Sequence, residues 1–91
     1  MAWKINYLKS VQKEIKKITK KDEDRIRKYL DGYIAELDDP RSQGKALKGT
    51  LSEFWRYRVG SYRIVCQIDN KAVTVLIVRV GHRKEIYRDK I

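Results

Sequence analysis

The 91-residue sequence has one cysteine, one histidine, one proline, one phenylalanine and five glycines. With Cys66 alone, no disulfide can close within the chain and no cysteine-based zinc cluster can be built. With His82 alone, no pair of histidines offers metal-ligand spacing. A Ser-His-Asp arrangement would have to use His82, and no serine sits in a nucleophile-elbow motif. No glycine-rich loop of the phosphate-binding type is present. These absences exclude most hydrolases and nucleotide-dependent enzymes, so no metal or cofactor is expected. No stretch approaches the roughly 20 consecutive apolar residues of a membrane span. Met1–Tyr7 mixes Trp3 and Ile5 with Lys4 and Asn6, unlike a signal peptide, so a cytoplasmic location is expected.

Positive charge is abundant. There are 22 Lys and Arg against 12 Asp and Glu, a net charge of +10. Residues 1–40 hold 10 basic and 8 acidic side chains, whereas residues 41–91 hold 12 and 4. The excess is therefore +2 in the first segment and +8 in the second. Such a field attracts phosphate backbones. It also suits an acidic protein partner, or simply a soluble basic surface. The apolar share of 42% supports one core, and the length suits a single domain spanning residues 1–91.

The apolar pattern gives the order β-α-α-β-β-β. Trp3, Ile5 and Tyr7 alternate with polar residues as in a strand. Leu8, Val11, Ile15 and Ile18 recur at helical spacing, predicting a helix over about Leu8–Lys20. Asp22 is positioned to cap a second helix, with Ile26, Tyr29, Leu30, Tyr33, Ile34 and Leu37 as its buried stripe and Asp38-Asp39-Pro40 as its stop. Arg41–Glu53 reads as a polar connector. Phe54–Val59 and Tyr62–Ile68 alternate around Gly60-Ser61, Asp69-Asn70-Lys71 reads as a tight hairpin, and Ala72–Val80 reads as a strand buried on both faces. The expected fold is α+β: a twisted antiparallel sheet with a helical hairpin packed on one face. Trp3 and Trp55 are assigned to the core, as is Cys66, which alternates with Ile64 and Ile68.

Strand alternation also fixes where the arginines point. If Trp55, Tyr57 and Val59 face the helices, Arg56 and Arg58 lie on the other face, joined by Arg63. Arg83 follows the last strand and is expected to reach the same cleft. Guanidinium forks match phosphate oxygens, so an anion is the natural ligand. Histidine ordinarily titrates near neutrality, which makes His82 a candidate acid or base. Glu53 and Glu85 are alternative proton acceptors, and Tyr87 is suited to stacking on a base. Taken singly, each has another reading: Arg56 and Arg58 as the solvated side of an edge strand, His82 as a turn residue, Tyr87 as a satellite core aromatic.

Three segments carry a family resemblance: Ala46-Leu47-Lys48-Gly49, the run from Trp55 through Val65 with its Gly60-Ser61-Tyr62-Arg63, and Val78 through Arg88 with its Gly81-His82-Arg83-Lys84-Glu85-Ile86-Tyr87. With these the chain resembles a toxin of the RelE/ParE superfamily, closest to the RelE branch, over nearly its whole length. The resemblance implies the β-α-α-β-β-β fold and a metal-independent endoribonuclease that cuts messenger RNA in the ribosomal A site, inhibiting translation. It implies a RelB-like antitoxin that blocks the toxin, in a complex that binds operator DNA. It assigns catalytic or binding roles to Arg56, Arg58, Arg63, Arg83 and Tyr87, and His82 joins them from its chemistry. The family's best-known member has lysines where Arg56 and Arg58 stand. Arginine keeps its charge in proteins, so neither is a general base here. A ParE-like gyrase-poisoning toxin and a non-catalytic nucleic-acid-binding module are the alternatives.

Overall fold

Alternating Ile5 and Tyr7 pack inward from β1, Lys4–Tyr7, the first element of a computed structural model that describes residues 2–47 and 54–82. The chain then turns into α1, Lys9–Lys16, which buries Val11 and Ile15, four residues apart on one face. This helix is shorter than the predicted Leu8–Lys20. Its cap residue is Lys17, and Lys20 already belongs to α2, Lys20–Arg27. The N-cap of α2 is Thr19, whose hydroxyl accepts from the Asp22 N–H at 3.2 Å, and not Asp22 as expected. Asp22 and Glu23 lie instead in the first turn, where the helix end favours negative charge.

Beyond Arg27 the helix loosens into a π-helical turn, Lys28–Tyr33, and then tightens into a 3-10 turn, Ile34–Glu36. A π turn advances the side chains by less than an α turn, so the apolar stripe slips out of phase. Ile26, Leu30 and Ile34 are fully buried, but Tyr33 is rotated out to 43% exposure, correcting its place in the predicted stripe. Its ring rests 5.5 Å from that of Tyr29. Pro40 opens a further 3-10 turn, Pro40–Gln43, in which the Asp39 carboxylate accepts from the Arg41 N–H at 3.0 Å.

The sheet has five strands in the order β1-β5-β4-β3-β2, where β2 is Lys45–Ala46, β3 Phe54–Val59, β4 Tyr62–Asp69 and β5 Thr74–His82. Two features differ from expectation. The polar connector contributes the two-residue edge strand β2, paired to Trp55 and Arg56 of β3. The sheet is mixed, because β1 runs parallel to β5 while the other pairs are antiparallel. The two helices separate β1 from the three-strand meander, so β1 is not held by a hairpin to run antiparallel to its neighbour. The last turn is also longer than the predicted Asp69-Asn70-Lys71. The Asp69 carboxylate accepts from the N–H groups of Lys71 and Ala72, and Val73 takes a φ of 49° before β5 begins at Thr74.

The helices cover one face of this sheet. Val11, Ile15, Ile26, Leu30 and Ile34 meet Tyr57, Ile64, Cys66, Val75, Ile77 and Val80. Each fully buried aliphatic side chain contributes on the order of 1.5–3 kcal/mol. Trp3 and Trp55 are partly buried at the margin of this core. The Tyr57 hydroxyl donates to the Pro40 carbonyl at 2.8 Å, tying the post-helical turn to β3. No helix among the described residues is long and apolar enough to cross a membrane.

Candidate nucleic-acid interface

Tyr57 and Val59 enter the core, so the alternate residues Arg56 and Arg58 project from the opposite face of β3. Ile64 and Cys66 do the same for β4 and send Arg63 to that opposite face. The register makes this specific. Arg58 stands directly across from Arg63, and Arg63 across from Gly81 of β5. In the next row Arg56 pairs with Val65, and Val65 with Arg79. Arg58 is exposed, Arg56 is half-buried, and Arg63 is only 6% exposed. Two like charges directly opposed are an unfavourable strand pair in isolation. They suit a surface that receives an anion, because two planar forks can then share its oxygens. Gly81 carries no side chain, so the third strand of that row does not crowd Arg63.

His82 lies elsewhere. It pairs with Tyr62, whose hydroxyl donates to Asp22 of α2 at 3.1 Å, so Tyr62 and His82 share the helix face. Their rings meet edge to face at 6.1 Å. This separates His82 from the sheet arginines, correcting the single cleft expected from the sequence. The cause is local: a β-bulge inserts one extra residue in β5 opposite Val65 and Cys66, so Val80 points to the core and His82 follows it. His82 borders a cleft of about 570 Å³ that also involves Glu14, Lys17, Tyr62 and Arg79. There the Glu14 carboxylate accepts from the Val80 N–H at 2.9 Å and from Arg79 Nε at 3.1 Å.

Glu14 did not stand out in the sequence as a site residue. The available signal was that Glu14 is the sole acid among the five lysines of residues 8–20. Arg83 and Tyr87, and the alternative acceptors Glu53 and Glu85, lie outside the described residues. Cys66 is buried in the core, and that burial pushes its thiol up to about 12. It is protonated at neutral pH and is no nucleophile. No group of three or more metal-ligating side chains occurs among the described residues.

Comparison with known proteins agrees with this architecture. The family profile described as the ParE toxin of type II toxin–antitoxin systems (parDE) matches residues 5–87. Toxin RelG of Mycobacterium tuberculosis is 42% identical over 50 residues, covering 55% of this chain and 58% of RelG. The chain thus matches little more than half the length of that relative. Among solved structures, the toxin–antitoxin complex RelBE2 of M. tuberculosis superposes with a TM-score of 0.83 at 24% identity, covering 91% of this chain and 93% of the other. The RelB–RelE complex of Methanococcus jannaschii gives 0.68 at 27% identity, covering 92% and 96%. Free E. coli RelE carrying two arginine-to-alanine substitutions gives 0.75 at 23% identity, covering 97% and 93%. A profile that spans all but the ends of the sequence, together with this fold, establishes that the chain belongs to the RelE/ParE family of type II toxin–antitoxin toxins.

Proposed function

We propose that this chain is an endoribonuclease that cuts messenger RNA in the ribosomal A site, inhibiting translation in the cytoplasm. The observation that carries the reading is the cross-strand pairing of Arg58 with Arg63, with Arg56 in the adjacent row, on the face turned away from the helices. In the reaction, the RNA 2′-oxygen attacks the neighbouring phosphorus as its proton leaves to a base. The phosphorus–5′-oxygen bond breaks, and that oxygen takes up a proton, leaving a 2′,3′-cyclic phosphate. No metal is required by this route. Negative charge grows on the nonbridging oxygens, and the guanidiniums of Arg56, Arg58 and Arg63 suit its stabilisation.

Arg83 completes the phosphate clamp, and Tyr87 stacks on the base. Adjacent in β5, Gly81 opposes Arg63 and His82 opposes Tyr62. His82 stands on the helix face beside Tyr62, so its part as acid or base rests on imidazole chemistry and on a substrate that reaches round the end of the sheet. A RelB-type antitoxin blocks the site, and the pair binds operator DNA. The similarity to toxins solved with RelB partners supports the first of these.

The ParE description of the family profile favours a second reading, in which the chain poisons DNA gyrase. Brief induction followed by mapping of messenger ends and plasmid supercoiling separates the two. Cleavage inside translated codons is expected. Double-strand DNA breaks with intact messengers would establish the gyrase reading. Neither effect would leave a non-catalytic nucleic-acid-binding module.

A further inference from the structure

We infer that Glu14 is a positioning residue that holds the far end of β5 and so sets the aim of Gly81 and His82. β1 ends well short of the end of β5. Its last pairing is Tyr7 with Ile77, followed by one bond from the Leu8 N–H to the Ile77 carbonyl at 3.1 Å. Leu8 cannot continue the ladder. Its own carbonyl starts α1, accepting from the N–H groups of Val11 and Gln12 at 2.9 and 3.1 Å. Yet β5 runs on to His82, through a bulge, with no strand beside it on that edge among the described residues.

Past the bulge β5 keeps its pairing with β4, but the N–H groups on its other edge have no ladder partner in β1. Glu14, on the second turn of α1, supplies the missing acceptor. One carboxylate oxygen takes the Val80 N–H at 2.9 Å and the other takes Arg79 Nε at 3.1 Å. Both bonds are charge-assisted, which makes them stronger than the neutral bond they replace. The very next residue, Gly81, stands across from Arg63, and His82 stands across from Tyr62. Glu14 lies outside the apolar core, so its side chain can change while Val11 and Ile15 keep α1 docked.

Amide exchange of Val80 and single-turnover cleavage on programmed ribosomes, in the full chain, test this together. The rate arm rests on the ribonuclease reading; the exchange arm does not. Glu14→Gln keeps an oxygen for the Val80 N–H and is expected to stay within about threefold of the unmutated chain in both measurements. Glu14→Ala is expected to lose at least about tenfold of Val80 protection and about tenfold in maximal rate, with half-saturation by ribosomes unchanged. An Ala variant that cuts at the unmutated rate, or loses only affinity for the ribosome, overturns the inference, as does unchanged Val80 protection. Glu14→Asp, one methylene too short to reach, carries the same comparison if the Ala variant does not fold. If the unmutated chain cuts no messenger, the ribonuclease reading alone fails. The variants are then compared by growth arrest at matched soluble level, where an Ala variant of full toxicity overturns the positioning role.

Discussion

Arg63 is the residue on which the site turns. Arg63 as a whole is 6% exposed on the face away from the helices, so its side chain gives up much of its hydration. Its position directly across from the exposed Arg58 concentrates charge where a phosphate would sit. Arg63→Ala is expected to lower single-turnover cleavage by about 10²–10³, and the exposed Arg58→Ala by roughly tenfold. Arg63→Lys keeps the charge but not the fork, so it should fall between unmutated and Ala. Equal small losses at both positions, with thermal midpoints unchanged, would remove Arg63 from the clamp.

Cys66 gives a pH test at the same scale. Burial lifts its thiol from 9.0 to about 12, so the folded chain keeps a proton that the unfolded chain releases. The stability this contributes is complete below about pH 9 and is lost as pH rises from there toward 12. Cys66→Ala opens a small cavity and should cost about 1 kcal/mol at pH 7. The gap between the two proteins, read by denaturant unfolding, should narrow above pH 9. A constant gap from pH 7 to 11 contradicts the assignment.

At the scale of elements, backbone conformation governs two glycines in opposite ways. Gly32 lies within the π-helical turn, where an added Cβ would meet nothing within 4 Å. Gly32→Ala should therefore stabilise by about 0.4–1 kcal/mol through the unfolded chain. Gly60 turns β3 into β4 with a φ of 58°, and a Cβ there would lie 3.3 Å from the Arg25 guanidinium. Gly60→Ala should cost about 1 kcal/mol or more. Thermal or denaturant midpoints check both signs. Loss of the Thr19 cap by Thr19→Ala should cost about 1 kcal/mol in the same assay.

These elements also show what was legible in the sequence. Period-two alternation revealed β3 and β4 and the side of the sheet taken by Arg56, Arg58 and Arg63, because alternation is a property of each strand alone. The two-residue β2 is too short to show a period. The parallel pairing of β1 with β5 depends on strand order in space and has no local signature. Asp22 looked like a cap because it is acidic at a helix start, whereas the Thr19 hydroxyl three residues earlier takes that bond. The bulge in β5 has the largest consequence for the site. One extra residue moved His82 to the helix face, and nothing in the β-branched run of Val73–Val80 marks it.

Across the whole molecule, charge is divided as the work is divided. The helical segment is nearly balanced, and residues 41–91 carry the +8 excess together with the arginine rows. Binding to RNA should therefore weaken steeply with salt. Replacing Arg56, Arg58 and Arg63 together by Ala should flatten the log–log slope by about 2, from roughly 0.7 per phosphate contact on a single strand. The helices build the apolar support on one face of the sheet, and the arginine rows stand on the other. Glu14 links the two by reaching from α1 to the end of β5.

The central claim is that the arginine face cleaves messenger RNA held by the ribosome. Its most direct test is to mix the purified chain with ribosomes carrying a messenger of known sequence and to map the new ends. A single cut within the A-site codon is expected, with a 2′,3′-cyclic phosphate at the upstream end and loss of the cut in the Arg63→Ala chain. An intact messenger on the ribosome, or equal cutting by unmutated and Arg63→Ala chains, would contradict it.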